Sequence, residues 1–143
     1  DDYGVITTRL HIGDYVHIAM GCRILGGPLS LCEFEDFSFL SPSCNVVCGS
    51  DDYNGSGMIG PTIPERYRAD VDHRPVVFKR FSGCGTGVSV MPGVTIGEGT
   101  VILPHAVVTR SLMPWSVYGG VPAKFIKPRE RTTILANAKA MGY

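Results

Sequence analysis

Long stretches of this chain place an apolar residue at every sixth position. One run reads Phe78, Cys84, Val90, Ile96, Ile102, Val108. The same period opens the chain as Ile6, Ile12, Ile18, Ile24 and returns as Phe34, Leu40, Val46. Four residues after most of these leading positions stands a second, smaller set: Val16, Cys22, Ser38, Cys44, Ser82, Val88, Val94, Thr100, Ala106. A helix repeats its buried face every ~3.6 residues and a half-buried strand every ~2, so neither explains the period. It fits a coil of short flat strands joined by tight turns. The leading side chain points inward, the small residue fills a corner, and the glycine- and proline-rich text between them supplies the turns. Three such units make one triangular rung of about 18 residues, and stacked rungs turn the repeat into a continuous core. The expected fold is all-β, a parallel β-helix solenoid.

Two interruptions of the period stand out. Between Ile24 and Phe34 the register slips through Gly26-Gly27-Pro28. Between Val46 and Phe78 runs a non-repeating stretch, about residues 50–76, whose Tyr53, Ile59, Ile63 and Tyr67 predict an ordered loop excursion. After Val108 the repeat decays. From Pro128 the spacing of Ile134, Leu135, Ala138 and Met141 predicts a short C-terminal helix with proline in its first turn. The organisation read from the chain is thus a solenoid over 1–127 and a helical tail over 128–143.

Composition excludes several function classes. Thirteen basic side chains balance thirteen acidic ones, which argues against a nucleic-acid surface. No apolar run approaches the roughly 18–20 residues of a membrane span. No signal-peptide pattern opens the chain, and a start on Asp1-Asp2-Tyr3 without Met reads as a piece of a longer protein. The five cysteines lack a paired ligand pattern, and Cys22, Cys44 and Cys84 fall at apolar positions of the repeat. They read as buried free thiols of a cytoplasmic protein.

The run VSVMPGVTIGEGTVILPHAVVTRSLMPWSVYGGVPAKFIK resembles the C-terminal half of hexapeptide-repeat acyltransferases, and the similarity extends over almost the whole chain. GSDDY followed by PTIPERYR resembles one subgroup of the galactoside- and polysaccharide-type sugar O-acetyltransferases, which include enzymes of O-antigen and capsule synthesis. The resemblance implies a left-handed β-helix, a homotrimer with sites between subunits, and acetyl-CoA as co-substrate. The acceptor it implies is a sugar hydroxyl or amino group, on a free, nucleotide-linked or lipid-linked sugar. It places Gly85, Thr86 and Pro104 along the pantetheine arm, and Thr109 and Arg110 near the nucleotide end. Lys124 and Lys127 would meet the CoA phosphates. Beside Arg129 these lysines also form a phosphate patch on charge alone.

The chain departs from the family at the catalytic position. Relatives commonly carry a Gly-His pair where this sequence reads Gly49-Ser50-Asp51-Asp52-Tyr53. Attack on a thioester by a hydroxyl needs a nearby base titrating close to neutrality, which imidazole supplies. Of His11, His17, His73 and His105, His17 matches a position that lines the acceptor pocket in relatives and is the favoured base. Asp51, Asp52 and Tyr53 are assigned to the acceptor site. Gly85 is the candidate N–H donor to the oxyanion. Two alternatives remain at this point: a non-catalytic solenoid scaffold, and a γ-carbonic-anhydrase-like zinc enzyme. The second lacks that family's paired H-x4-H, and His11 and His17, six apart, would fall on adjacent faces, so no metal site is expected.

Overall fold

Turns at six-residue spacing leave room for strands of only a few residues. The computed structural model of the protein describes residues 2–143; Asp1, first residue of the expected solenoid, lies outside them. The first coil is β1 (Val5–Ile6), β2 (Arg9–Ile12) and β3 (His17–Ile18), the second β4 (Arg23–Leu25), β5 (Leu31–Phe34) and β6 (Phe39–Leu40). The third begins with β7 (Asn45–Val47), leaves through a loop carrying β8 (Ser50–Asp51) and β9 (Val71–Asp72), and resumes with β10 (Val76–Phe78) and β11 (Gly83–Cys84). The fourth is β12 (Ser89–Val90), β13 (Thr95–Ile96) and β14 (Val101–Ile102). The last contains β15 (Val107–Val108) and β16 (Ser116–Gly119), followed by β17 (Lys124–Pro128) and α1 (Thr132–Ala140).

Three parallel sheets result. The first face is β1-β4-β7-β12-β15, the second β2-β5-β10-β13, and the third β3-β6-β11-β14-β16, with β17 returning antiparallel on its edge. The protein is a left-handed parallel β-helix. Register follows the period: Phe78 pairs with Ile96, Cys84 with Ile102 and Val90 with Val108. Across the slip Ile12 pairs with Phe34 and Ile24 with Val46, so the additional residues bulge at a corner and the leading positions stay stacked. Across the loop Phe34 pairs with Phe78 in the same way.

Ile24, Val46, Val90 and Val108 are wholly buried behind the first face, Phe34, Phe78 and Ile96 behind the second, and Leu40, Cys84 and Ile102 behind the third. Each such side chain contributes about 1.5–3 kcal/mol by leaving water. The Phe34 and Phe78 rings stack at 4.7 Å. Ser38 and Ser82 fill corners, each hydroxyl donating to the carbonyl three residues back at 2.6 Å. The first coil departs from expectation. Ile6 and Ile12 are exposed and Ile18 is half-buried, because these side chains have a coil on one side only.

We number the corners in chain order: the first between faces one and two, the second between two and three, the third between three and one. The second corner carries a column of aromatic residues in left-handed backbone conformation: Tyr15, Phe37, Phe81 and Trp115, with φ of 56°, 61°, 60° and 52°. That conformation costs an L-residue about 1–2 kcal/mol. Stacking along the column offsets it, with centroids 5.1 Å apart for Tyr15–Phe37 and for Phe37–Phe81, and 6.1 Å for Phe81–Trp115. Gly99 interrupts the column because a methyl group there would collide with the Trp115 ring.

The tail differs from the sequence expectation. Pro128 closes β17, opposite Ser116, and the helix starts at Thr132. The reason is Glu130, whose carboxylate accepts from the Arg131 N–H, the Thr132 N–H and the Thr132 hydroxyl at 2.7, 2.8 and 2.7 Å. Of the four apolar positions expected to pack, only Ala138 is buried; Ile134 is half-buried, and Leu135 and Met141 are exposed. The tail is instead tied down by its ends. Arg129 Nη1 donates to the carbonyls of Phe81 and Gly99 at 2.9 and 2.8 Å. Tyr143 lies edge-on to Tyr15 and Phe37 and donates to Asp14 at 2.9 Å. The tail therefore runs back along the aromatic corner from the last coil to the first. Among the described residues, no helix is long and apolar enough to cross a membrane.

Candidate active site

The long loop leaves the coil at the first corner. There β8 pairs antiparallel with β9, Ser50 opposite Asp72 and Asp51 opposite Val71, and the Asp52 N–H donates to the Asp70 carbonyl at 2.8 Å. The neighbouring aspartates then part company. Asp52 accepts from the Asn54 backbone N–H at 2.8 Å and its side-chain amide at 2.6 Å, and more weakly from the Ser56 N–H at 3.4 Å. The Asn54 N–H, foremost among these donors, holds the Asp52 carboxyl below the ordinary carboxylate range. Asp52 thus builds the turn. The Asp51 carboxylate has no hydrogen-bond partner among the described residues.

Asp51, Asp52 and Tyr53 line a cavity of about 360 Å³ together with Arg74, Met91 and Thr109. The first corner thereby brings the acceptor candidates against one of the residues assigned to CoA. Arg74, which the sequence reading passed over, is fixed by Asp72 through Nε at 2.9 and 3.0 Å and Nη2 at 2.6 Å. Its guanidinium lies on Gly93, where a Cβ would come within 2.9 Å of it.

Gly85, Thr86 and Pro104 form a column at the third corner. The His105 N–H donates to the Thr86 carbonyl at 2.9 Å, and a Cβ on Gly85 would meet the Pro104 nitrogen at 2.8 Å. Thr86 and Pro104 are exposed there. The Gly85 N–H does not serve the oxyanion role assigned to it, because it donates to the Ile102 carbonyl at 2.8 Å in the sheet ladder. Beside Gly85, one coil earlier, stands the half-buried Ser41, since Leu40 pairs with Cys84. No motif in the sequence marks it.

The basic patch is divided. Lys124 shares a cavity of about 320 Å³ with Arg110 and Tyr118. Lys127 lies opposite Val117 and borders a different cavity of about 630 Å³, lined by Phe39, Val101 and Leu103 on the third face. Arg129 borders the same cavity as Lys127, with its Nη1 occupied by backbone carbonyls.

The histidines are dispersed. His17 is exposed on the third face beside Phe39, so one protomer does not bring it to Asp51. His11 lies on the second face, Nδ1 3.6 Å from Glu33, so it and His17 occupy adjacent faces as their spacing indicated. Among the described residues, no group of three or more His, Cys, Asp or Glu is placed to hold a metal ion. His105 covers Gly87 at the third corner, and His73 reaches Ser30 from the end of the loop. All five cysteines are buried.

No family model matches the chain. Its fold superposes with a TM-score of 0.90 on AntD, an N-acyltransferase from Bacillus cereus solved with dTDP and 3-hydroxybutyryl-CoA; the two are 32% identical over 99% of this chain and 74% of that one. The chain belongs to the hexapeptide-repeat acyltransferase family. Other structures of AntD carry substitutions at a serine or at an aspartate ten residues further on, with CoA and either dTDP or dTDP-4-amino-4,6-dideoxyglucose bound. Among curated relatives, the hexapeptide-repeat protein is 28% identical to the dTDP-4-amino-4,6-dideoxy-D-glucose acyltransferase of Escherichia coli, over 92% of its own length and 68% of that enzyme. It is 32% identical to WbbJ of E. coli K12, a provisional lipopolysaccharide biosynthesis O-acetyl transferase, over 92% of its own length and 65% of WbbJ.

Proposed function

We propose that this hexapeptide-repeat acyltransferase moves the acetyl group of acetyl-CoA to the amino group of a nucleotide-linked sugar, in a cleft between protomers of a homotrimer. Its setting is the cytoplasmic stage of surface-polysaccharide synthesis. The observation that carries this reading is the placement of the site residues on the two edges of the first face. Asp51, Tyr53 and Thr109 lie at the first corner; Gly85, Thr86 and Pro104 lie at the third. A threefold axis facing the first face would set the first corner of one protomer against the third corner of the next. His17 would then enter the acceptor pocket across a subunit boundary.

Charge favours an amine over a hydroxyl. The loop cavity holds Asp51, Asp52 and Asp72 against the single guanidinium of Arg74, itself bound to Asp72. A surplus of carboxylates attracts a sugar ammonium and can take its proton. The free amine then attacks the thioester carbonyl. The ammonium's first proton passes from the carboxylates to solvent; then the C–N bond forms, the C–S bond breaks, and the second proton shed by nitrogen passes through Asp51 to the departing CoA thiolate. Asp51 is favoured as base by a spacing as well: Ser41 and Asp51 are the one serine–aspartate pair ten residues apart in this chain, the same separation as between the two residues substituted in AntD. Ser41, beside the Gly85 column, would lie at the thioester end of the cofactor. Lys124, Lys127 and Arg110 would meet the CoA phosphates.

The test is thiol release from acetyl-CoA with a panel of dTDP- and UDP-linked amino sugars and their hydroxyl counterparts, alongside calorimetry with acetyl-CoA. Turnover with amino sugars supports the reading. Turnover confined to hydroxyl acceptors moves it to O-acetylation, and no acetyl-CoA binding at millimolar ligand removes it.

A further inference from the structure

The two interruptions of the repeat meet in space. The slip at Gly26–Ser30 and the long loop both leave the coil at the first corner, in successive coils, and their backbones touch. A Cβ on Gly49 would lie 2.6 Å from the Gly26 carbonyl and 2.8 Å from Ser30 Oγ; a Cβ on Gly26 would lie 2.8 Å from the Gly49 nitrogen. Only glycine at both positions allows this approach. Ser30 is wholly buried between them, and its hydroxyl donates to the Gly26 carbonyl at 2.7 Å. A serine hydroxyl has one proton. The 2.9 Å contact between Ser30 Oγ and His73 Nδ1 is therefore a bond in which Nδ1–H donates. His73 follows Asp72 of β9, which pairs with Ser50 of β8. Two hydrogen bonds thus run from the slip through Ser30 to His73, which the backbone joins directly to the strand pair that presents Asp51.

We infer that the slip is a socket for the catalytic loop and that His73 is a positioning residue, holding the β8–β9 pair, and with it Asp51, in register through its Nδ1–H bond to Ser30. This rests on the reading of Asp51 as a site residue. The role assigned to His73 uses Nδ1 only; Nε2 takes no part.

The experiment compares His73→Ala, His73→Asn and Ser30→Ala in the full chain, by amide hydrogen exchange and by acetyl-transfer kinetics. Asparagine places an amide N–H where histidine has Nδ1–H and offers nothing in place of Nε2. His73→Ala and Ser30→Ala are expected to speed exchange at Ser50, Asp52 and Asp72, whose amides bond across the β8–β9 pair, about tenfold, as loss of one buried hydrogen bond would. They should also lower kcat/KM for the acceptor by about the same factor while the Kd for acetyl-CoA stays put. His73→Asn is expected to restore both. Wild-type exchange in His73→Ala overturns the inference. So does a His73→Asn variant with normal exchange and no turnover, which would make the imidazole itself the reacting group. If the wild-type protein acetylates no acceptor, the proposed function fails, and the exchange measurement still decides the anchor.

Discussion

Asp51 and Asp52 are identical in chemistry and adjacent in sequence, yet Asp52 closes a turn while the Asp51 carboxylate is left to the loop cavity. The direction of each is set by the β8–β9 pairing and by the turn that Asp52 closes on Asn54, contacts no spacing rule reveals. Asp51→Asn is expected to lower kcat by about 10²–10⁴-fold, the usual contribution of a positioned base, with acetyl-CoA affinity unchanged by calorimetry. Asp52→Ala should instead loosen the loop, which proteolytic cleavage within residues 53–69 would report. Glu130 offers a second residue-scale test. The Thr132 N–H, foremost among its donors, pulls its carboxyl down to about 2, whereas an unfolded Glu titrates near 4.3. A depressed carboxyl stabilises the fold above its unfolded value and loses that contribution as pH falls towards its folded one. The helix signal in circular dichroism should therefore decline between about pH 4.3 and 2 in the wild type. Glu130→Gln should remove that window while fraying the helix at neutral pH.

At the level of elements, the coils and the presence of a short C-terminal helix were legible, and the way the tail is fastened was not. A six-residue period names the inward side chain of each strand without any knowledge of its neighbours, so Phe78 and Ile96, eighteen apart, could be assigned to one stack from spacing alone, whereas the return of Phe78 onto Phe34 after the loop could not. The tail depends on partners far away in sequence: Arg129 on Phe81 and Gly99, Tyr143 on Asp14. Its helical spacing suggested an apolar face that the structure does not bury, because fastening at the two ends replaces packing along the middle. The site shows the same divide. The column of Gly85 under Pro104 follows from the repeat, whereas Arg74 on Gly93 and Ser41 beside Gly85 arise only where strands come to rest. Phe78 resumes the coil after the loop and stacks on Phe34, so Phe78→Ala should cost about 3–5 kcal/mol in denaturant unfolding. A loss under 1 kcal/mol would mean that the loop, not the stack, restores the register.

Across the whole molecule, each coil stacks on the coils above and below, so stability is built mostly from nearest-neighbour contacts, and the tail ties the last coil back to the first. Light scattering is expected to give three times the protomer mass; a monomer that still turns over would place the complete site within one chain. The five cysteines lie inside the coil, where burial pushes the Cys84 thiol up and hydrogen bonding with Cys48, joined by burial, does the same to Cys32. Hydrogen bonding with Cys84 and Cys32 lowers the Cys44 and Cys48 thiols instead, Cys44 to about 7. It is therefore burial that should make native protein react slowly with a thiol reagent, and all five should react in denaturant. The aromatic corner has one more consequence. Trp115 is the only tryptophan of the chain; its ring meets Phe81 and roofs Gly99, and its carbonyl receives the Arg129 N–H at 2.7 Å. Indole fluorescence thus originates from a single point, where the tail is fastened to the coil. A red shift preceding any change in far-ultraviolet signal would time the peeling of the tail, and the molecule carries its own optical gauge for that event.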